Sequence, residues 1–155
     1  MSDELVFMMG EFEARFPTDR RYARNHMWAL TQTDEGSELR FGFTAYAVRL
    51  LQDVYFLDWT VEAGVVLKER QTIGAIESKK AESDLFAPLL GTLSRFNEQL
   101  LDDPSAINVD KYGEGWLFDM ETDVTDGLLS CEEYIAHLED VWEVTQRTIK
   151  GQLNN

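Results

Sequence analysis

Cysteine is almost missing. Cys131 stands alone among 155 residues, so no disulfide can close within the chain, and a reducing compartment is expected. Positive charge is scarce too: Lys and Arg number 14 against 29 Asp and Glu, a formal charge of -15. Such a chain repels polyanions instead of steering them in, which excludes nucleic acid and anionic membrane as natural partners. Long apolar runs are absent, since "LVFMM" near the start falls far short of the roughly 18 residues of a membrane-spanning helix. No basic flank followed by a cleavage site marks export. The expected location is cytoplasmic, with no nucleic acid and no membrane bound.

Histidine is limited to His26 and His137, and Cys131 has no companion at metal-ligand spacing, so no metal site is expected. G-x-x-x-x-G-K-[ST], G-x-S-x-G and H-E-x-x-H are all missing, and with them the usual parts for phosphate cradling, serine hydrolysis and zinc hydrolysis. Carboxylates are so common that no pair stands out as an acid–base couple. These absences argue against an enzyme with its own chemistry and leave a carrier or binding module.

What is present fits one domain with a sizeable core: 44% of residues are hydrophobic and 12% aromatic. Leu5, Met8, Met9, Phe12 and Phe16 recur at helical spacing before Pro17, so residues 1–20 read as an N-terminal extension with a docked amphipathic helix. From about residue 26 the texture changes to short β-rich runs, "MWALTQT", "ELRFGFT", "VYFLDW", "QTIGAIES", "LFAPL", "GTLSRF" and "GWLFDME", separated by turn residues. Leu39, Phe41 and Phe43 alternate with period two. Many short strands without crossover helices predict a mainly β sandwich or small barrel. Only "AYAVRLLQ" interrupts as a short internal helix. Ser130 and Glu133 form a capping box, and Tyr134, Ile135, Leu138, Val141, Trp142, Thr145 and Ile149 then make the apolar stripe of a long C-terminal amphipathic helix.

One turn carries tandem amines. "IGAIESKKAESDLFAPL" reads as a strand, a polar turn and a second strand, with Lys79 and Lys80 near the tip. A lysine there projects its flexible stem into water and is no desolvated nucleophile. It can instead present its amine to a modifying enzyme and let an attached arm sweep between partners. Geometry alone leaves the plain alternative open, a surface pair among Glu77, Glu82 and Asp84 worth little stability.

The words around this turn resemble the lipoyl-bearing core of the glycine cleavage system H-protein family: E-S-x-K-A, then S-D, P-x-x-G, N-x-x-L and Y-G-E-G-W, in order within "IGAIESKKAESDLFAPLLGTLSRFNEQLLDDPSAINVDKYGEGWLFDM". The resemblance begins at "RYARNHMWAL" and runs into the terminal helix, so residues 21–155 read as one lipoyl-carrier domain. It implies a lipoyl-type hybrid barrel-sandwich with lipoate joined by an amide to Lys80, the fourth position of E-S-x-K-A. Lys79 falls on the variable position. The resemblance also implies that Glu77 and Gly91 serve recognition by a lipoyl ligase or transferase, and that Asp84 helps dock the arm. The implied function is a non-catalytic carrier. Its arm accepts an aminomethyl group from glycine decarboxylase, passes it to an aminomethyltransferase and is reoxidised by dihydrolipoyl dehydrogenase.

Departures from the family pattern gather on the arm-docking side. The usual H-E-W is "HMW", so Met27 replaces a glutamate that helps hold the loaded arm, and methionine cannot serve as its carboxylate acceptor. Ala45 replaces an acid in "GFTAYA", and Gln52 replaces a glycine in "LQDV". Asn25 and Asp84 are the residues available to compensate. Two other readings therefore stay open: a lipoyl relay or storage protein outside glycine oxidation, and an unmodified protein-interaction domain.

Overall fold

The computed structural model describes residues 3–34 and 37–154, with side chains described as far as residue 146. Its strands are β1 (Glu4–Met9), β2 (Phe12–Pro17), β3 (Arg21–Tyr22), β4 (Met27–Thr31), β5 (Glu38–Phe43), β6 (Val54–Trp59), β7 (Val66–Leu67), β8 (Thr72–Ser78), β9 (Glu82–Phe86), β10 (Gly91–Phe96) and β11 (Phe118–Glu121). The helices are α1 (Ala45–Leu51), α2 (Gln99–Asp102), α3 (Ala106–Val109) and α4 (Cys131–Asn154). The mainly β expectation is met, as is each expected helix from α1 onward.

Three antiparallel sheets form. The largest runs β3-β4-β5-β11-β10-β7, a second runs β6-β8-β9, and β1 and β2 make a separate hairpin. Leu39, Phe41, Leu93, Phe118 and Met120 from the first sheet share a core with Leu57, Ile73, Ile76 and Leu85 from the second. Each sheet thus buries one apolar face against the other, as a sandwich must, and the sheets stay separate instead of closing into a barrel. Trp28 and Gly42 show how closely β4 and β5 are fitted: a Cβ at Gly42 would lie 2.5 Å from the Trp28 ring. The indole covers the bare backbone and donates its Nε1–H to the Lys111 carbonyl at 2.9 Å.

The extension before residue 20 is a hairpin, which corrects the expected helix. Met9 pairs with Phe12 across a tight turn at Gly10 and Glu11, and Gly10 takes a positive φ of 65° that glycine adopts without strain. The helical spacing of Leu5, Met8, Met9, Phe12 and Phe16 was real but competed with a period of two. Phe7 and Met9 on β1 and Ala14 and Phe16 on β2 all turn inward, while Val6 and Met8 face out. The inward face packs on α1 and α4 and completes a second core with Tyr22, Tyr46, Tyr134 and Leu138. Within it Tyr22 stacks on Tyr134 at 4.8 Å, and Phe16 meets Tyr134 edge-on at 5.5 Å.

Helix α4 begins as its capping box requires. Glu133 N–H donates to Ser130 Oγ at 3.1 Å while Ser130 N–H donates to Glu133 Oε1 at 2.8 Å. Cys131, Tyr134 and Leu138 face the core and Glu132, Glu139 and Asp140 face water; the side chain of Ile149 lies outside the described residues. Thr44 caps α1, and the helix stops because Gln52 turns to φ 59°. Among the described residues, no helix is long and apolar enough to cross a membrane.

Candidate functional site

The tandem lysines sit where β8 gives way to β9. Glu77 pairs with Glu82, so Ser78, Lys79, Lys80 and Ala81 form the connection. Every amide in it is used. Ser78 N–H donates to the Ala81 carbonyl at 2.8 Å, Lys79 N–H to the Asp53 carbonyl at 2.8 Å, and Lys80 N–H to the Leu51 carbonyl at 3.4 Å. Ala81 N–H goes to the Ser78 hydroxyl at 3.1 Å. The turn therefore leans on the chain that leaves α1, and buried Ser78, 3% exposed, ties it shut from below. Sequence reasoning passed over Ser78 and this support from residues 51–53.

Both lysine side chains are exposed, and neither ammonium has a hydrogen-bond or ion-pair partner among the described residues. Around them the second sheet turns an acidic face outward. Phe56, Glu77 and Glu82 form one cross-strand row, and Asp58, Ala75 and Asp84 the next. Two like charges directly opposite, as Glu77 and Glu82 are, weaken a sheet instead of strengthening it. None of the four carboxylates makes an ion pair among the described residues.

Of the residues singled out from sequence, Glu77, Lys80 and Asp84 come together on one hairpin, while Gly91 does not join them. It opens β10 in the other sheet, where an added Cβ would lie 2.4 Å from the Glu121 carbonyl oxygen. That close approach alone demands glycine. Met27 is 2% exposed, part of the apolar core and paired with Phe43, and Ala45 is buried at the start of α1. Gln52 holds its strained turn with help from Asn108, whose Nδ2 donates to the Gln52 carbonyl at 2.6 Å and whose Oδ1 accepts from Val54 N–H at 2.9 Å.

A cleft of 280 Å³ opens beyond the far end of β9, lined by Arg24, Asn25, Arg70, Phe86 and Pro88 among others. Asn25 Nδ2 donates to the Phe86 carbonyl at 3.1 Å, leaving Asn25 Oδ1 buried without a partner. Beside it His26 takes φ 69°, with Nδ1 2.8 Å from the Tyr134 hydroxyl. Burial, reinforced by nearby His137, pushes the His26 imidazole down to about 4.

Residues 20–141 match the family described as Glycine cleavage H-protein. A glycine cleavage system H protein of Corynebacterium aurimucosum is 37% identical over 125 residues, 79% of this chain and 95% of that protein. Its counterpart in Rubrobacter xylanophilus is 39% identical over 127 residues, 82% and 98% of the two chains. The crystal structure of a glycine cleavage system H protein from Mycobacterium marinum superposes with a TM-score of 0.69 at 33% identity, covering 78% of this chain and 97% of that one. The matched segment contains the lysine turn, the acidic face and both facing sheets, and leaves out the N-terminal hairpin: the chain belongs to the glycine cleavage H-protein family.

Proposed function

We propose that the chain is the lipoyl carrier of a glycine cleavage system, with lipoate held as an amide on Lys80. The observation that carries this reading is the turn itself: a rigidly tethered backbone beneath an exposed amine with no partner among the described residues. Such an amine is open to acylation. The Lys80 ammonium gives up one proton to expose its lone pair, and Nζ forms the N–C bond as the activated acyl carbon's bond to its leaving group breaks. A second proton leaves Nζ to the leaving group or solvent, and the lysine ends as a neutral amide. The bound group supplies disulfide–dithiol redox chemistry. The protein contributes a fixed base for the arm, an outward acidic face, and no redox side chain at the turn.

A lipoyl ligase or transferase loads the arm, with Glu77 in the recognition surface. Gly91 keeps its recognition role in this reading only as part of the packed body that the enzyme meets. Glycine decarboxylase, an aminomethyltransferase and dihydrolipoyl dehydrogenase are the partners of the loaded carrier. With Met27 turned into the core, exposed Asp84 is the acceptor left on the surface to hold a cationic load, while Asn25 Oδ1 lies buried and without a partner at the cleft.

Incubation with lipoate, ATP and a lipoyl ligase, followed by intact-mass measurement, is expected to add one lipoyl group to the wild-type chain and to Lys79→Arg, and none to Lys80→Arg. An adduct on Lys80→Arg overturns the assignment. Glycine–bicarbonate exchange with a glycine decarboxylase then tests the loaded carrier; activity confined to an ordinary H protein counts against glycine cleavage.

A further inference from the structure

Lys79 and Lys80 are alike as side chains: both exposed, both unpartnered among the described residues, both flanked by acids. Their backbones differ. The Lys79 amide is held by Asp53 at 2.8 Å, the Lys80 amide more loosely by Leu51 at 3.4 Å, and neither lysine sits at positive φ. Two consecutive residues of a turn send their side chains in different directions, so a modifying enzyme that docks on the hairpin meets one amine at the apex and the other to one side. Which lysine takes the apex is a question of register.

Ser78 answers it. Its Oγ lies 3.1 Å from both the nitrogen and the oxygen of Ala81, accepting from one and donating to the other, so a single hydroxyl closes both sides of the turn. The Ser78 side chain is buried at 3% exposure, so its hydroxyl is held in one place beneath the exposed Ala81 and takes both bonds there. Without the hydroxyl, the turn loses both side-chain bonds to Ala81 and keeps only the Ser78 N–H to Ala81 carbonyl bond across it, so its register is less firmly held.

We propose that Ser78 is the specificity-determining residue of the lysine turn: its hydroxyl fixes the register that offers Lys80, and not Lys79, to the acylating enzyme. The proposal rests on the carrier reading and adds to it a residue that never touches the cofactor, a positioning residue acting through the backbone.

The test uses the full-length chain with lipoate, ATP and a lipoyl ligase, and maps the adduct by fragment-ion mass spectrometry so that Lys79 and Lys80 are told apart. Ser78→Ala is expected to raise the Lys79 to Lys80 adduct ratio about fivefold to tenfold, the size one neutral hydrogen bond supports. Ser78→Ala combined with Lys80→Arg is expected to gain an adduct on Lys79 that Lys80→Arg alone lacks. Ser78→Cys keeps the volume while weakening the bond, and is expected to repeat the shift if the alanine variant unfolds. Modification of both folded variants at Lys80 alone, at wild-type rate, overturns the proposal. No adduct on the wild-type chain overturns the carrier reading, and this proposal with it. An adduct on wild type but no gain at Lys79 in the double variant overturns only the role of Ser78.

Discussion

The Nδ1 of His26 lies 2.8 Å from the Tyr134 hydroxyl, and that hydroxyl lies 3.0 Å from Thr44 Oγ1. One oxygen thus joins the loop before β4, the cap of α1 and the first turn of α4. The His26 ring in this junction is held neutral, since burial first and then His137 push it down to about 4.

An unfolded histidine titrates near 6.5, so the unfolded chain binds the extra proton first as pH falls. The contribution of His26 is fully present above about 6.5 and drains away toward 4. The integrated loss is of order 3 kcal/mol. Urea unfolding at several pH values is expected to show His26→Asn, which tolerates the left-handed backbone, with a flatter acid slope than wild type.

Gln52 occupies φ 59° and ψ -141°, a region that suits glycine and strains a side chain. Gln52→Gly is expected to stabilise the fold by about 1 kcal/mol, the strain relieved less the extra chain entropy of glycine. Denaturant midpoints read this directly, and a destabilised variant would show that the Asn108 clamp already absorbs the strain.

Gly91→Ala sets a Cβ against the Glu121 carbonyl. Separation of β10 from β11 is expected to cost about 2 kcal/mol. Thermal unfolding measures the cost. A variant as stable as wild type yet poorly lipoylated would return Gly91 to direct recognition by the ligase.

Phe16 is fully buried between Tyr22 and Tyr134. Phe16→Ala is expected to cost about 3–5 kcal/mol, the usual toll of emptying a large aromatic site. Little loss in calorimetry would mean that the hairpin is only loosely seated on α4.

The strands were legible where alternation was unambiguous, as with Leu39 and Phe41, and α4 was legible because Ser130 and Glu133 announce it. The N-terminal hairpin was not. Its apolar residues satisfy two periods at once, and the choice lies with Phe7, Ala14 and the turn at Gly10. Helices α2 and α3, four residues each, are too short to show a period at all. At the site, Glu77, Lys80 and Asp84 could be read because neighbours on a hairpin are neighbours in sequence. Ser78 could not, since a serine ending a strand looks like any surface hydroxyl until its bond to Ala81 is seen. The need for glycine at position 91 depends on Glu121, thirty positions on, and the cleft at Asn25 is assembled from separate segments that no local pattern links.

The outward rows of Glu77, Glu82, Asp58 and Asp84 leave Lys79 and Lys80 as the cations of the β8–β9 hairpin. An amide on Lys80 removes one of them and makes an already acidic molecule one unit more negative. Loaded and unloaded carrier therefore migrate differently in an electric field, and a native gel or an anion exchanger can count the occupied fraction with no label and no partner enzyme.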